Sequence, residues 1–224
     1  SQVVIPPPGN VRIGTVMAVP EVLQRLGYDP RPILRRVGFS LKSLSNPDTV
    51  VPIAKVGRLL SVCTEVTSCS HFGLLVGQQM KTSALGVLGL VIHNANDVET
   101  ALSNLVRYRS LNDRGAFITL ERDGALARLQ YSMIEYTTTG ADQMIDCAIA
   151  IGCNILRGLC GQQAVAQCIG MPLQRGAVGR LGQCGNALVD GLRSLAAELH
   201  VALLVLVQGP GIACEPGVLR LACG

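Results

Sequence analysis

Before residue 160, apolar residues recur mostly at every third or fourth position, and the breaks between runs carry helix-end residues. Pro20 to Leu26 predicts a helix with Val22, Leu23 and Leu26 on one face and Gly27 as its stop. Asp29 caps a second helix from Pro30, with Ile33, Leu34 and Val37 inside and Gly38 at its end; Ser40 caps a further turn, Leu41 to Leu44. Pro52 stands where a helix favours its first proline, and Ile53, Val56, Leu59, Leu60 and Cys63 follow at helical spacing. Ser70 is the expected cap of a helix over Phe72 to Gln79. The apolar stretch Leu85 to Ile92 carries Gly86 and Gly89, which suit close approach to a neighbour. Asp97 caps the clearest helix, striped by Val98, Ala101, Leu102, Leu105 and Val106, with Arg107 and Arg109 at its C-terminal end.

After Leu111 the period changes from about 3.6 to 2. Ala116 to Glu121 and Leu126 to Tyr131 predict two strands, and Arg122-Asp123-Gly124 the turn of a hairpin. A long helix follows over about 141–159, with Gly161 as its stop. Helices, then an antiparallel hairpin, then a helix make an α+β fold rather than a βαβ one.

Composition changes this picture in the last third. All seven aromatic residues and all three lysines lie before position 137, whereas 12 of 25 glycines lie from Gly158 onward and seven of nine cysteines from Cys147 onward. Apolar residues make up 49% and charged residues 15%, which excludes a disordered chain, and a net charge of +4 is too small to point to nucleic acid. An odd cysteine count without a CxxC argues against a disulfide framework or zinc site, so a reducing, cytoplasmic setting is expected. The N-terminus lacks signal-peptide features, and the longest apolar run, Val201 to Val207, is too short to cross a membrane. No metal and no cofactor is expected.

Enzyme chemistry finds little support. HExxH, GxSxG, P-loop and strand-flanked GxGxxG patterns are absent, and Cys147, Cys153 and Cys160 do not converge on one helix face. Candidate ligand-binding residues are Arg107 and Tyr108, supplying a charge or hydroxyl, and Phe117 and Tyr131 on the hairpin. The plainer alternative makes Arg107 a neutraliser of helix carbonyls and the other three core residues.

Four groups of residues carry a resemblance. They are Leu34-Arg35-Arg36-Val37-Gly38 with Leu44 and Asn46-Pro47-Asp48; Val51-Pro52-Ile53 with Leu59-Leu60; Phe72 to Gly77 with Leu85 to Gly89; and Asp97 to Leu102 with Leu105 to Leu111 ahead of the hairpin. In this order the stretch 19–161 resembles the N-terminal effector domain of AraC-type bacterial transcription regulators. The resemblance implies an α+β domain that senses an unknown small-molecule effector and forms a homodimer. The helix 141–159, whose polar residues Asp142, Asp146, Asn154 and Arg157 are few, is the candidate dimer surface. The family's helix-turn-helix pair has no match here, so this chain alone is expected not to bind DNA sequence-specifically. A stand-alone small-molecule-binding or protein-interaction module is the alternative, and an enzyme the third. Residues 162–224 are read as an atypical tail, from a reading-frame change in a GC-rich gene or as a divergent subdomain with a helix over 187–199 and a strand over 201–207.

Overall fold

The structure, a computed structural model, describes residues 5–123, 126–134 and 139–168. They form an α+β fold of seven α-helices and two two-stranded antiparallel sheets. The expected tail falls outside the described residues beyond position 168.

The N-terminal segment 1–18, which Pro6-Pro7-Pro8-Gly9 mark as an extended leader, is woven into the core over its described residues. β1 (Asn10–Arg12) pairs with β2 (Val50–Pro52), Val11 opposite Val51, and a 3-10 turn over Ile13–Val16 follows. Val11, Ile13 and Val16 are buried. Three-residue strands are too short to show a period, so the sequence pattern misses them. Arg12 is buried and pairs with the exposed Asp48, pinning the turn at 46–49 beside β1.

The helices follow the capping signals closely. α1 (Val19–Arg25) and α2 (Pro30–Arg36) bury Val22, Leu23, Ile33 and Leu34, and the Asp29 carboxylate accepts from the Arg31 N–H at the start of α2. α3 (Ile53–Thr67) buries Val56, Leu59, Leu60 and Cys63 on the expected face. α4 (Phe72–Gln79) is capped differently from expectation. Ser70 makes no side-chain cap; its carbonyl instead accepts from the Gln143 side chain, whose Oε1 takes the Gly73 N–H at 2.9 Å. The stretch 85–92 is divided: a 3-10 turn Thr82–Leu85 ends at Gly86, at φ +59°, and α5 (Val87–His93) begins there. α6 (Val98–Tyr108) is capped by Asp97, whose carboxylate accepts from the Thr100 N–H at 2.6 Å.

β3 (Ala116–Asp123) and β4 (Leu126–Met133) form the hairpin, each two residues longer than the alternation suggested. Its turn, 124–125, lies outside the described residues. α7 (Ala141–Cys168) continues through Gly161. A glycine inside a helix costs only about 1 kcal/mol against alanine, so it marks an end only where the fold needs one.

α7 packs directly on α4. Gly73 and Gly77, one turn apart on α4, lie against the Gln143 and Cys147 backbone. Asn154 donates to the carbonyls of Gly77, Gln78 and Met80, closing the C-terminal end of α4. Over 141–159 the exposed part of α7 is reduced to Asp142, Arg157 and Gly158. Asp146 is 2% exposed, and Asn154 is spent within the domain. The polar content of α7 over 141–159 is thin because most of that stretch is core.

Candidate functional site

The hairpin lies over the helices with Leu129, Tyr131 and Ile118 turned inward, and beneath it is a cavity of about 100 Å³. α3 contributes Val56 and Leu60 to its wall, α6 contributes Leu105, and the turn that follows α6 contributes Arg109. α7 supplies Met144, Cys147, Ala148, Ile151, Gly152 and Ile155, one stripe at helical spacing. Most of the lining is aliphatic, and polar side chains enter from one segment in particular.

That segment is 109–113. After α6, a 3-10 turn over Arg109–Leu111 brings the chain alongside β1. There Arg12 donates its N–H to the Asn112 carbonyl at 2.9 Å, and Arg114 donates to the Asn10 carbonyl at 3.0 Å. Val11 and Asp113 form an antiparallel bridge. The segment acts as a third, irregular strand on the small sheet, and this pairing sets Arg109, Asn112 and Asp113 at the cavity wall.

Their hydrogen bonding is uneven. The Asp113 carboxylate accepts from the Gly115 N–H at 2.7 Å and from the Tyr131 hydroxyl at 3.1 Å. Burial raises the Asp113 carboxyl above its ordinary range, against the pull of these bonds, the Ala116 N–H and the Arg109 charge. Tyr131 is raised well above 10 by burial, and further by the charge of Asp113 and the hydrogen bond it donates to that carboxylate. By contrast, Arg109 Nε and Asn112 Oδ1 are buried without a hydrogen-bond partner among the described residues. Asn112 as a whole is only 6% exposed. Burial likewise pushes the Cys147 thiol up to about 12, so it stands in the wall as a neutral thiol, 3.6 Å from the Thr15 carbonyl.

Asp113 gives the site a pH signature. Its folded pKa lies above the ordinary 3.8, so its contribution to stability is full below that value and is lost as pH rises through the folded pKa. Asn at this position does not titrate. Urea unfolding from pH 3.5 to 7 is expected to show wild type losing stability relative to Asp113→Asn as pH rises. A difference that is flat with pH, or that runs the other way, would contradict the buried carboxylate.

Of the four residues singled out by sequence, Tyr131 lies on the cavity wall; Arg107, Tyr108 and Phe117 do not. Register decides the hairpin pair. Ile118 faces Tyr131 across the sheet and Phe117 faces Ser132, so Phe117 points away and is 51% exposed. Its ring nonetheless lies 5.2 Å from the Arg109 guanidinium carbon, a cation–π contact on the outer side. Arg107 is exposed and stacks on Tyr108 at 5.4 Å, and Tyr108 packs against the core. The missed residue, Arg109, was legible in principle. It stands four places after Leu105 and so shares the buried stripe, whereas Arg107 is on the opposite side. Among the described residues, no group of three or more His, Cys, Asp or Glu side chains could hold a metal ion, and no single helix is long and apolar enough to cross a membrane.

Residues 27–181 match the family described as the arabinose-binding domain of AraC transcription regulators, N-terminal. The chain belongs to this family. The matched region of this AraC-type domain includes α2 to α7 with the hairpin, and it runs past residue 161, where the resemblance read from local strings stops. Among curated proteins, the domain is similar to the HTH-type transcriptional regulator VirS of two Mycobacterium tuberculosis strains, CDC 1551 / Oshkosh and ATCC 25618 / H37Rv. Each is 23% identical to it over 160 residues, which is 70% of this chain and 47% of the relative. The chain thus spans about half the length of these curated relatives. The family places this AraC-type chain in transcription regulation as an effector domain rather than in an enzyme family.

Proposed function

We propose that this AraC-type domain senses a small molecule bound in the cavity beneath the hairpin. The observation that carries the reading is the cavity itself: a mostly aliphatic-walled space of about 100 Å³, lined largely by residues of the matched region. Well-packed cores leave few voids of this kind, and lost contacts at a void cost stability. A ligand that fills the space restores those contacts. Its walls come from both the hairpin and α7, so occupancy bears on two elements that could shift against each other. The ligand's effect is bounded by its differential affinity for the two arrangements. The homodimer implied by the resemblance and the cytoplasmic setting expected from the cysteines belong to this proposal, as does regulation of transcription through a DNA-binding partner domain.

A thermal-shift screen of small metabolites tests it, with Ala148→Phe as the control that fills the cavity from α7. A ligand at 100 times its Kd stabilises the folded state by about 2.7 kcal/mol, which raises the melting temperature of a domain this size by about 5 °C or more. The expected result is a hit that shifts wild type and leaves Ala148→Phe unmoved. Equal shifts in both proteins would place binding elsewhere, and chemical turnover of the hit would overturn the sensor reading.

A further inference from the structure

The polar groups at the cavity wall are turned away from the space they border. Thr15 Oγ1 donates to the Arg12 carbonyl at 3.3 Å, the Tyr131 hydroxyl donates to Asp113, and Asp113 also accepts from the Gly115 N–H. Cys147 is a neutral thiol set against the Thr15 carbonyl. Arg109 Nε and Asn112 Oδ1 are closed over by protein atoms, so neither is offered to a molecule in the cavity. The Arg109 guanidinium leads to the exposed Phe117 ring on the outer side of the hairpin. The surface that does face the cavity is almost wholly carbon, from residues such as Val56, Leu60, Leu105, Met144 and Ile151.

We infer that the domain takes a small hydrocarbon of about four carbons, held by dispersion and the exclusion of water, with no hydrogen bond or ion pair to the wall. The inference rests on the sensor reading and adds the ligand's chemical class. Size sets the carbon count. An apolar cavity of about 150 Å³ engineered into another protein takes the ring of benzene. This cavity is about 100 Å³, which leaves room for about four non-hydrogen atoms in proportion. Chemistry sets the class. A hydroxyl carried into the cavity gives up its water partners and finds none in return, and an ammonium or a carboxylate loses more. A pentose is too large and brings several hydroxyls, so despite the family's name it does not suit this cavity.

A series of probes of nearly equal size tests the assignment: isobutane, 2-propanol, isopropylammonium and acetate, with L-arabinose added for the family's name. Binding to the purified chain is followed at pH 7 by NMR titration of the methyl groups in the cavity wall. Isobutane is expected to shift the methyl signals of Leu60, Met144 and Ile151 and to bind at least tenfold more tightly than 2-propanol, with the two ions and arabinose weaker still. Ala148→Phe, which fills the cavity from α7, should lose isobutane binding while its other methyl signals stay dispersed, which also shows that the variant folds. Ala148→Leu gives the same comparison if Ala148→Phe does not fold. Binding of 2-propanol within tenfold of isobutane at the same methyl groups would overturn the hydrocarbon class and leave a sensor site with a polar contact. Either ion or arabinose binding more tightly than isobutane would do the same. Isobutane binding unchanged in the filled variant would place it outside the cavity and overturn the assignment. Exclusion of every probe, isobutane included, would overturn both the class and the sensor reading beneath it.

Discussion

A methyl group added at Gly77 destabilises the domain by about 3 kcal/mol, while the same substitution at Gly158 stabilises it by up to about 1 kcal/mol. Both glycines lie in helices, and in a solvated helix alanine is the better residue because it restricts the unfolded chain. The difference is what surrounds the new atom. A Cβ at Gly77 would overlap the Cys147 carbonyl oxygen and lie 2.7 Å from the Ala150 Cβ, so α4 and α7 would have to separate along their contact. At Gly158, which is exposed on α7, a Cβ meets nothing within 4 Å among the described residues. Gly73→Ala is expected to behave like Gly77→Ala, because its Cβ would overlap the Gln143 carbonyl. Against a usual domain stability of about 5–15 kcal/mol, the double variant at 73 and 77 should be largely unfolded at 37 °C. Urea denaturation of the single variants checks the opposite signs. Stabilisation by Gly77→Ala would mean that the two helices are not in close contact.

Gln143→Met, which nearly conserves volume, is expected to cost about 3 kcal/mol although it makes the core more apolar. Gln143 is 1% exposed on α7, and its amide closes the start of α4 from across the core. Its Oε1 accepts the Gly73 N–H at 2.9 Å, and its Nε2 donates to the Ser70 carbonyl at 3.0 Å. Methionine leaves that N–H, one of the orphan donors of the first helical turn, buried and unpaired. Hydrogen exchange adds a local readout, since the Gly73 amide should lose protection by more than the global loss of stability explains. A cost below about 1 kcal/mol would show that α4 finds another partner for its first turn.

The residues just discussed mark where sequence reading reaches and where it stops. Asp29 and Asp97 are legible as caps because their partners, Arg31 and Thr100, are two and three residues away. The hairpin is legible because alternation and turn residues are local. Ser70 is misread as a cap because the group that serves α4 is 73 residues distant in the chain. Gly73 and Gly77 give no local sign of their role, since small residues one turn apart suit an exposed helix as well as a tight crossing. Of the two hairpin candidates, Tyr131 faces the cavity and Phe117 the other side of the sheet, a difference that alternation alone does not assign because it does not say which face is inward.

The sequence by itself determined the α+β class, the order of the helices, most of their ends, the hairpin and the AraC-type membership, because each rests on periods, caps and strings that act within a few residues. Only the tertiary structure decided that the N-terminal segment enters the core, that α7 is largely buried over 141–159, and that Arg109, Asn112 and Asp113 reach one cavity. The reason lies in contacts between distant parts of the chain. The 109–113 segment has no period of its own and takes its course from hydrogen bonds to β1, about a hundred residues earlier. The Asn112 Oδ1 and Arg109 Nε left without partners among the described residues are a property of that assembled wall.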